Sequence, residues 1–88
     1  MATTTTRTGT ASTDYPVHKY VYAIYAGETA SGAATITLKN GGASGTAMFF
    51  MNVQADDNAG LTLDEPMYFP DGVYVTVTGG LRYTLIAE

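Results

Sequence analysis

Between Val17 and Glu88 the apolar residues recur at every second position in short runs, and each run ends at a cluster of Gly, Asn, Asp or Pro. That period of two belongs to strands, whose successive side chains point to opposite faces; an amphipathic helix needs 3.6. "AATITLK" places Ala34, Ile36 and Leu38 on one face and Thr35, Thr37 and Lys39 on the other, and "VYVTVT" does the same with Val73, Val75 and Val77. In "LRYTLIAE", Leu81, Tyr83, Leu85 and Ala87 alternate with Arg82, Thr84 and Ile86. "NGGASG", "PDG" and Gly79-Gly80 supply the reversals, because Gly and Asn tolerate the positive φ that tight hairpins require. No stretch has a helical period of useful length. The expectation is an all-β fold, a small antiparallel β-sandwich, jelly-roll-like, of about six to eight strands.

Two runs break the clean alternation. "VHKYVYAIYA" is apolar on both sides, with His18, Tyr20, Tyr22 and Ile24 set against Val17, Lys19, Val21, Ala23 and Tyr25. "TAMFFMNVQ" sends Ala47, Phe49, Met51 and Val53 inward, which leaves Met48 and Phe50 outside. "LTLDEP" offers Leu61 and Leu63 to the core, and "MYF" reads as a short edge segment between Pro66 and Pro70. A strand apolar on both faces is either covered twice or forms a subunit contact. Only 14% of the residues are charged against 45% hydrophobic, so part of the surface is expected to be an interface.

The first residues are built differently. From Thr3 to Pro16 the chain is small, polar and rich in Thr, without either period. Residues 1–16 read as an extended N-terminal arm and residues 17–88 as the β-sandwich domain. Threonine favours extended backbone, so the arm is expected to order along a partner's sheet edge.

Composition limits the function. An 88-residue chain without cysteine buries only about 60% of its unfolded surface and has neither disulfides nor thiolate-bound zinc to reinforce it. Association with copies of itself is the expected compensation. A net charge of −4, with Arg7, Lys19, Lys39 and Arg82 scattered, argues against nucleic acid as a partner. No apolar run reaches the ~20 residues of a spanning helix, so no membrane partner is expected.

The inventory for chemistry is poor. His18 is the single histidine, expected to be partly buried or in an interface, and "GGASG" lacks the spacing of a nucleophile elbow. Asp56-Asp57 and Asp64-Glu65 are neighbours on extended chain and diverge, and the Asp56-Asp57-Asn58 turn lacks the spacing of a calcium loop. No catalytic residue, metal site or cofactor is expected. Tyr20, Tyr22, Tyr25, Tyr68 and Tyr74 remain, as anchors at a protein interface or as a sugar-stacking platform. The candidate interface residues are Thr5, Arg7, Tyr15, Tyr20, Tyr22, Tyr25, Met48, Phe50 and Tyr74.

The stretches "ATITLKNGGASGTAMFF" and "FPDGVYVTVTGGLRYTLIAE" resemble small β-rich virion proteins of tailed phages, most of all capsid decoration (cement) proteins. The resemblance covers the last two thirds of the chain. It implies a non-enzymatic viral structural protein on the capsid surface, binding the major capsid protein as a homotrimer or homodimer. A phage tail, neck or fibre attachment protein and a carbohydrate-binding β-sandwich module are the alternatives.

Overall fold

The computed structural model describes residues 4–28, 34–54 and 58–88. They form eight strands: β1 (Thr5–Gly9), β2 (Thr13–Tyr15), β3 (Tyr20–Glu28), β4 (Ala34–Asn40), β5 (Thr46–Val53), β6 (Asn58–Tyr68), β7 (Val73–Thr78) and β8 (Leu81–Ala87). Two four-stranded antiparallel sheets result, in the orders β1-β8-β3-β6 and β2-β7-β4-β5. The chain changes sheet at nearly every connection, which is the winding of a jelly roll. The all-β sandwich expected from the alternation is the architecture observed. Asp56-Asp57 lies outside the described residues.

The alternation chooses the core. Ala34, Ile36, Leu38, Val73 and Val75 from one sheet meet Ile24, Leu81, Tyr83, Leu85 and Ala87 from the other, all buried, with Phe69 between the turns. Each such aliphatic side chain contributes roughly 1.5–3 kcal/mol by leaving water, so these short strands hold the two sheets together.

The first strand departs from strict alternation. Val21 and Ile24, expected on opposite faces, are both fully buried, because the register against β6 and β8 shifts between Val21 and Ala23. The extra residue at Tyr22 flips the parity of everything after it, as a β-bulge does. A second shift, between Leu38 and Lys39, releases Ala47 to solvent while Phe49 and Met51 still pack on the core. Leu61, expected inside, is 38% exposed at the edge of its sheet. "MYF" is the end of the long β6 rather than a separate strand, with Tyr68 as its last residue.

The segment read as an arm is extended, and its described part lies along the chain's own sheets. Thr5 to Gly9 pair with Ala87 to Tyr83 on β8, and Thr13 to Tyr15 pair with Val75 to Val73 on β7. Both are edge strands, which explains a composition with so little to bury.

At one end of the sandwich the turns are clasped to each other. Asn40 Oδ1 accepts from the Asp71 amide at 2.9 Å, Asn40 Nδ2 donates to Asp71 Oδ2 at 3.2 Å, and the Gly41 amide donates to the Gly72 carbonyl at 3.0 Å. Gly72 has φ +100°, and a Cβ there would come within 2.7 Å of Pro16 Cα. Gly42 has φ +135° with open space around it. A left-handed backbone costs a non-glycine residue roughly 1–3 kcal/mol, and only Gly72 adds a backbone collision to that cost. Gly72→Ala is therefore expected to lower the unfolding free energy by clearly more than Gly42→Ala in urea denaturation. Equal losses for the two variants would mean that the approach of Pro16 to Gly72 carries no weight.

Candidate interaction surfaces

β1 and β2 are edges of different sheets, joined by a short connection, and together form one flank of the sandwich. A polar cluster closes it. Arg7 Nε donates to His18 Nε2 at 3.0 Å, and the Arg7 guanidinium lies 5.9 Å from the centre of the Tyr15 ring, within cation–π range. The hydroxyls of Tyr15 and the buried Tyr83 are hydrogen-bonded at 2.8 Å. Gly9 makes room for Tyr83, because a Cβ at that position would stand 2.8 Å from the phenol oxygen.

The hydrogen bond defines the state of the histidine. An arginine can only donate, so Nε2 accepts and His18 is neutral, with its proton on Nδ1. Burial, and then the charge of Arg7, hold its pKa below the ordinary 6.5. Tyr83 is pushed up to about 12, chiefly by burial; a hydrogen bond with Thr13 opposes the rise and the Tyr15 hydroxyl adds to it.

The opposite flank is formed by β5 and β6, the other two edges, which approach each other. Its β5 side exposes apolar side chains, whereas β6 exposes Asp64 and Glu65 beside Leu61. Met48 is 46% exposed and Phe50 57% exposed, and Phe50 stands beside Thr37 on the outer face of its sheet. Tyr20 and Tyr68 face each other across β3 and β6 with their rings stacked 5.1 Å apart, both largely in solvent.

The candidate interface residues therefore do not share one surface. Thr5, Arg7 and Tyr15 belong to the polar flank, and Met48 and Phe50 to the opposite one. Tyr74 is half-buried on β7, opposite both Asp14 and Lys39. Tyr22 sits at the bulge and donates to Glu88 Oε2 at 3.3 Å; its partial burial and the Glu88 carboxylate raise its pKa. Tyr25 lies on the outer face of the other sheet, its hydroxyl 2.7 Å from Thr62 Oγ1. The candidate interface residues do not include Arg82 or Asn58, which border a groove of about 590 Å³ beside Tyr25. Single polar residues in alternating strands carry no signal until cross-strand register brings them together.

Among the described residues, no group of His, Asp and Glu side chains is placed to hold a metal. No protein-family model matches the sequence, and no curated protein matches it. Solved structures do. A subunit of Bacillus endospore appendages, described as a family of disulfide-linked pili, superposes with a TM-score of 0.56 at 20% identity, over 97% of this chain and 83% of that one. PirA matches with a TM-score of 0.45 at 20% identity, over 99% of this chain and 94% of that one. At this identity the pilus subunit is a likeness of fold.

The histidine gives the flank a pH dependence with a definite sign. A folded pKa below the unfolded one means that the unfolded chain takes up the proton first, so the contribution of His18 is complete above pH ~6.5 and is lost as pH falls through the lowered value. Melting temperature should begin to drop as pH falls below about 6.5, where the unfolded histidine takes up its proton. His18→Gln, which still offers Arg7 an acceptor, should flatten that drop. Parallel curves for both proteins would assign the loss to other groups. For Tyr83 the raised value works the other way: stability present below pH ~10 is lost as pH climbs towards about 12.

Proposed function

We propose that the protein is a non-enzymatic structural subunit of a multi-copy assembly, and that the apolar β5 edge is its principal contact. The observation that carries this reading is the pair Met48 and Phe50, exposed on a strand with one unpaired side. An exposed apolar edge strand is a liability in a monomer, because its free N–H and C=O groups and its side chains template further pairing. Covered in an assembly, the same edge is an interface. His18, the single histidine, has its acceptor nitrogen filled by Arg7 and so is not poised as a general base.

Each sheet has one edge on the polar flank and one on the opposite flank. A contact between unlike flanks repeats from copy to copy and builds rings or filaments. In this reading residues 1–16 keep the part expected of an arm: β1 and β2 present their outer backbone groups to a neighbour while staying paired at home.

The finer form of the proposal is the cement protein of a tailed-phage head, with the major capsid protein as partner and the virion as its place. It rests on the resemblance of the two stretches from Ala34 to Phe50 and from Phe69 to Glu88. A filament subunit is the second form, suggested by the pili in which the fold neighbour takes part. The two forms share the edge and differ in whether a second protein is needed.

Sedimentation of the purified chain against Phe50→Ser, with electron microscopy of the concentrated samples, tests the reading. Concentration-dependent association that the substitution weakens at least roughly tenfold, or ~1.4 kcal/mol, is expected. Melting should be unchanged, since Phe50 is exposed. Filaments of the chain alone favour the second form; small oligomers that coat purified phage heads favour the first. A wild-type chain that stays monomeric at high concentration and leaves heads bare would remove the proposal.

A further inference from the structure

The outer face of the sheet β1-β8-β3-β6 carries a feature that assembly through the β5 edge does not use. Cross-strand register sets two rows side by side. In one, Arg82, Gly27 and Asn58 lie on β8, β3 and β6; in the next, Thr84, Tyr25 and Gly60 lie on the same strands. The glycines hollow out the surface. A Cβ at Gly60 would stand 2.5 Å from Tyr25 Cδ1, so the tyrosine ring lies flat across β6, held there by its hydroxyl contact with Thr62. A Cβ at Gly27 would stand 2.7 Å from Asn58 Oδ1, so the Asn58 side chain leans over β3 towards the strand that bears Arg82. These side chains line an open groove of about 590 Å³, a size within the range of small-ligand sites.

Its charge is unusual for this chain. Arg7 donates to His18, Lys19 to the Pro16 carbonyl and Lys39 to the Ala43 carbonyl. Among the described residues Arg82 has no hydrogen bond or ion pair of its own. A protein of net charge −4 thus keeps an uncommitted guanidinium at the edge of a hollow, next to a fixed aromatic face and an amide. Guanidinium recognises a planar carboxylate through two parallel hydrogen bonds. An aromatic face with one side free stacks on the apolar face of a pyranose, and a threonine hydroxyl matches ring hydroxyls.

We propose that this groove is a binding site for a carboxylated saccharide, a sialic or uronic acid unit, with Arg82 on the carboxylate, Tyr25 under the ring and Thr84 beside the hydroxyls. The site is independent of the β5 edge. An assembly subunit that also holds an acidic glycan would bring many weak sites to one surface, and their avidity, rather than single-site affinity, would do the attaching.

The test is calorimetric titration of the full chain with matched pairs: sialyllactose against lactose, and trigalacturonate against its methyl ester. Saturable binding of at least one acidic member is expected, at least tenfold tighter than its uncharged partner. Arg82→Gln should weaken it at least tenfold and leave melting unchanged, because the side chain is exposed and has no hydrogen bond or ion pair among the described residues. Tyr25→Ala should abolish binding, whereas Tyr25→Phe, which keeps the ring, should retain it. Absence of saturable binding to both acidic members overturns the proposal. So does equal binding of charged and uncharged partners, or equal binding of a poly-glutamate peptide that survives Tyr25→Ala, which would make Arg82 a point of charge contact with acidic protein. Because Phe50→Ser leaves this face intact, loss of assembly in that variant with glycan binding retained separates failure of one reading from failure of the other.

Discussion

Two four-stranded sheets have four edges, and how the chain treats those edges organises the rest of the molecule. On the first flank the edges are β1 and β2, short polar strands in which Tyr15 alone packs against the core. Ordering their backbone costs roughly 1–2 kcal/mol per residue. The ladder hydrogen bonds with β8 and β7 offset part of that, and the contacts Arg7–His18 and Tyr15–Tyr83 add on the order of 1 kcal/mol each. The flank is therefore held by polar links between chain segments far apart in sequence. Removing one of them leaves a buried acceptor or hydroxyl unsatisfied, which is worse than the loss of the bond alone.

On the second flank the edges are β5 and β6, and no comparable polar lid covers them among the described residues. Leu61, Met48 and Phe50 remain in solvent there, while Val53, Phe49 and Met51 anchor β5 from inside. The bulge opposite Lys39 contributes to this: it turns Ala47 out and ends the inward alternation of β5 near its start. One flank is closed by the chain itself, and in the assembly proposed above the other meets a neighbour. That asymmetry is what a head-to-tail contact requires, since a flank able to pair with itself would stop at a dimer.

Much of the sandwich was legible in the sequence because burial and alternation say the same thing in β4, β7 and β8. Ile36, Leu38, Val73, Val75, Leu81 and Leu85 all lie where a period of two puts them. The positions that depart from the expected pattern have two causes. Ala47 lies beside a register shift and Val21 and Ile24 flank another, and a bulge changes parity without changing the local residue pattern, whereas Leu61 lies on a sheet edge. The N-terminal segment was legible as extended, but its pairing was not: Thr-rich edge strands have no hydrophobic face to announce which sheet they join. The candidate sites were less legible still. Met48 and Phe50 could be named from parity alone, whereas Arg82, Gly27 and Asn58 become neighbours only through the pairing of β8, β3 and β6.

The same register explains why the acidic chain can carry a basic hollow. Side chains on a flat strand row shield one another, and a lysine or arginine there would be drawn to the nearest carboxylate or carbonyl, as Lys19 and Lys39 are. Gly27 removes the side chain between Arg82 and Asn58, and Thr84 and Tyr25 in the next row carry no charge. The guanidinium thus has neutral neighbours along the sheet and open space beside it. At physiological salt a charge is felt over a Debye length of about 8 Å, so a guanidinium acts on its own surroundings even in a molecule of net negative charge. Among the described residues, one of four scattered cations is left without a hydrogen bond or ion pair, and the acceptor that its guanidinium fits is a planar anion.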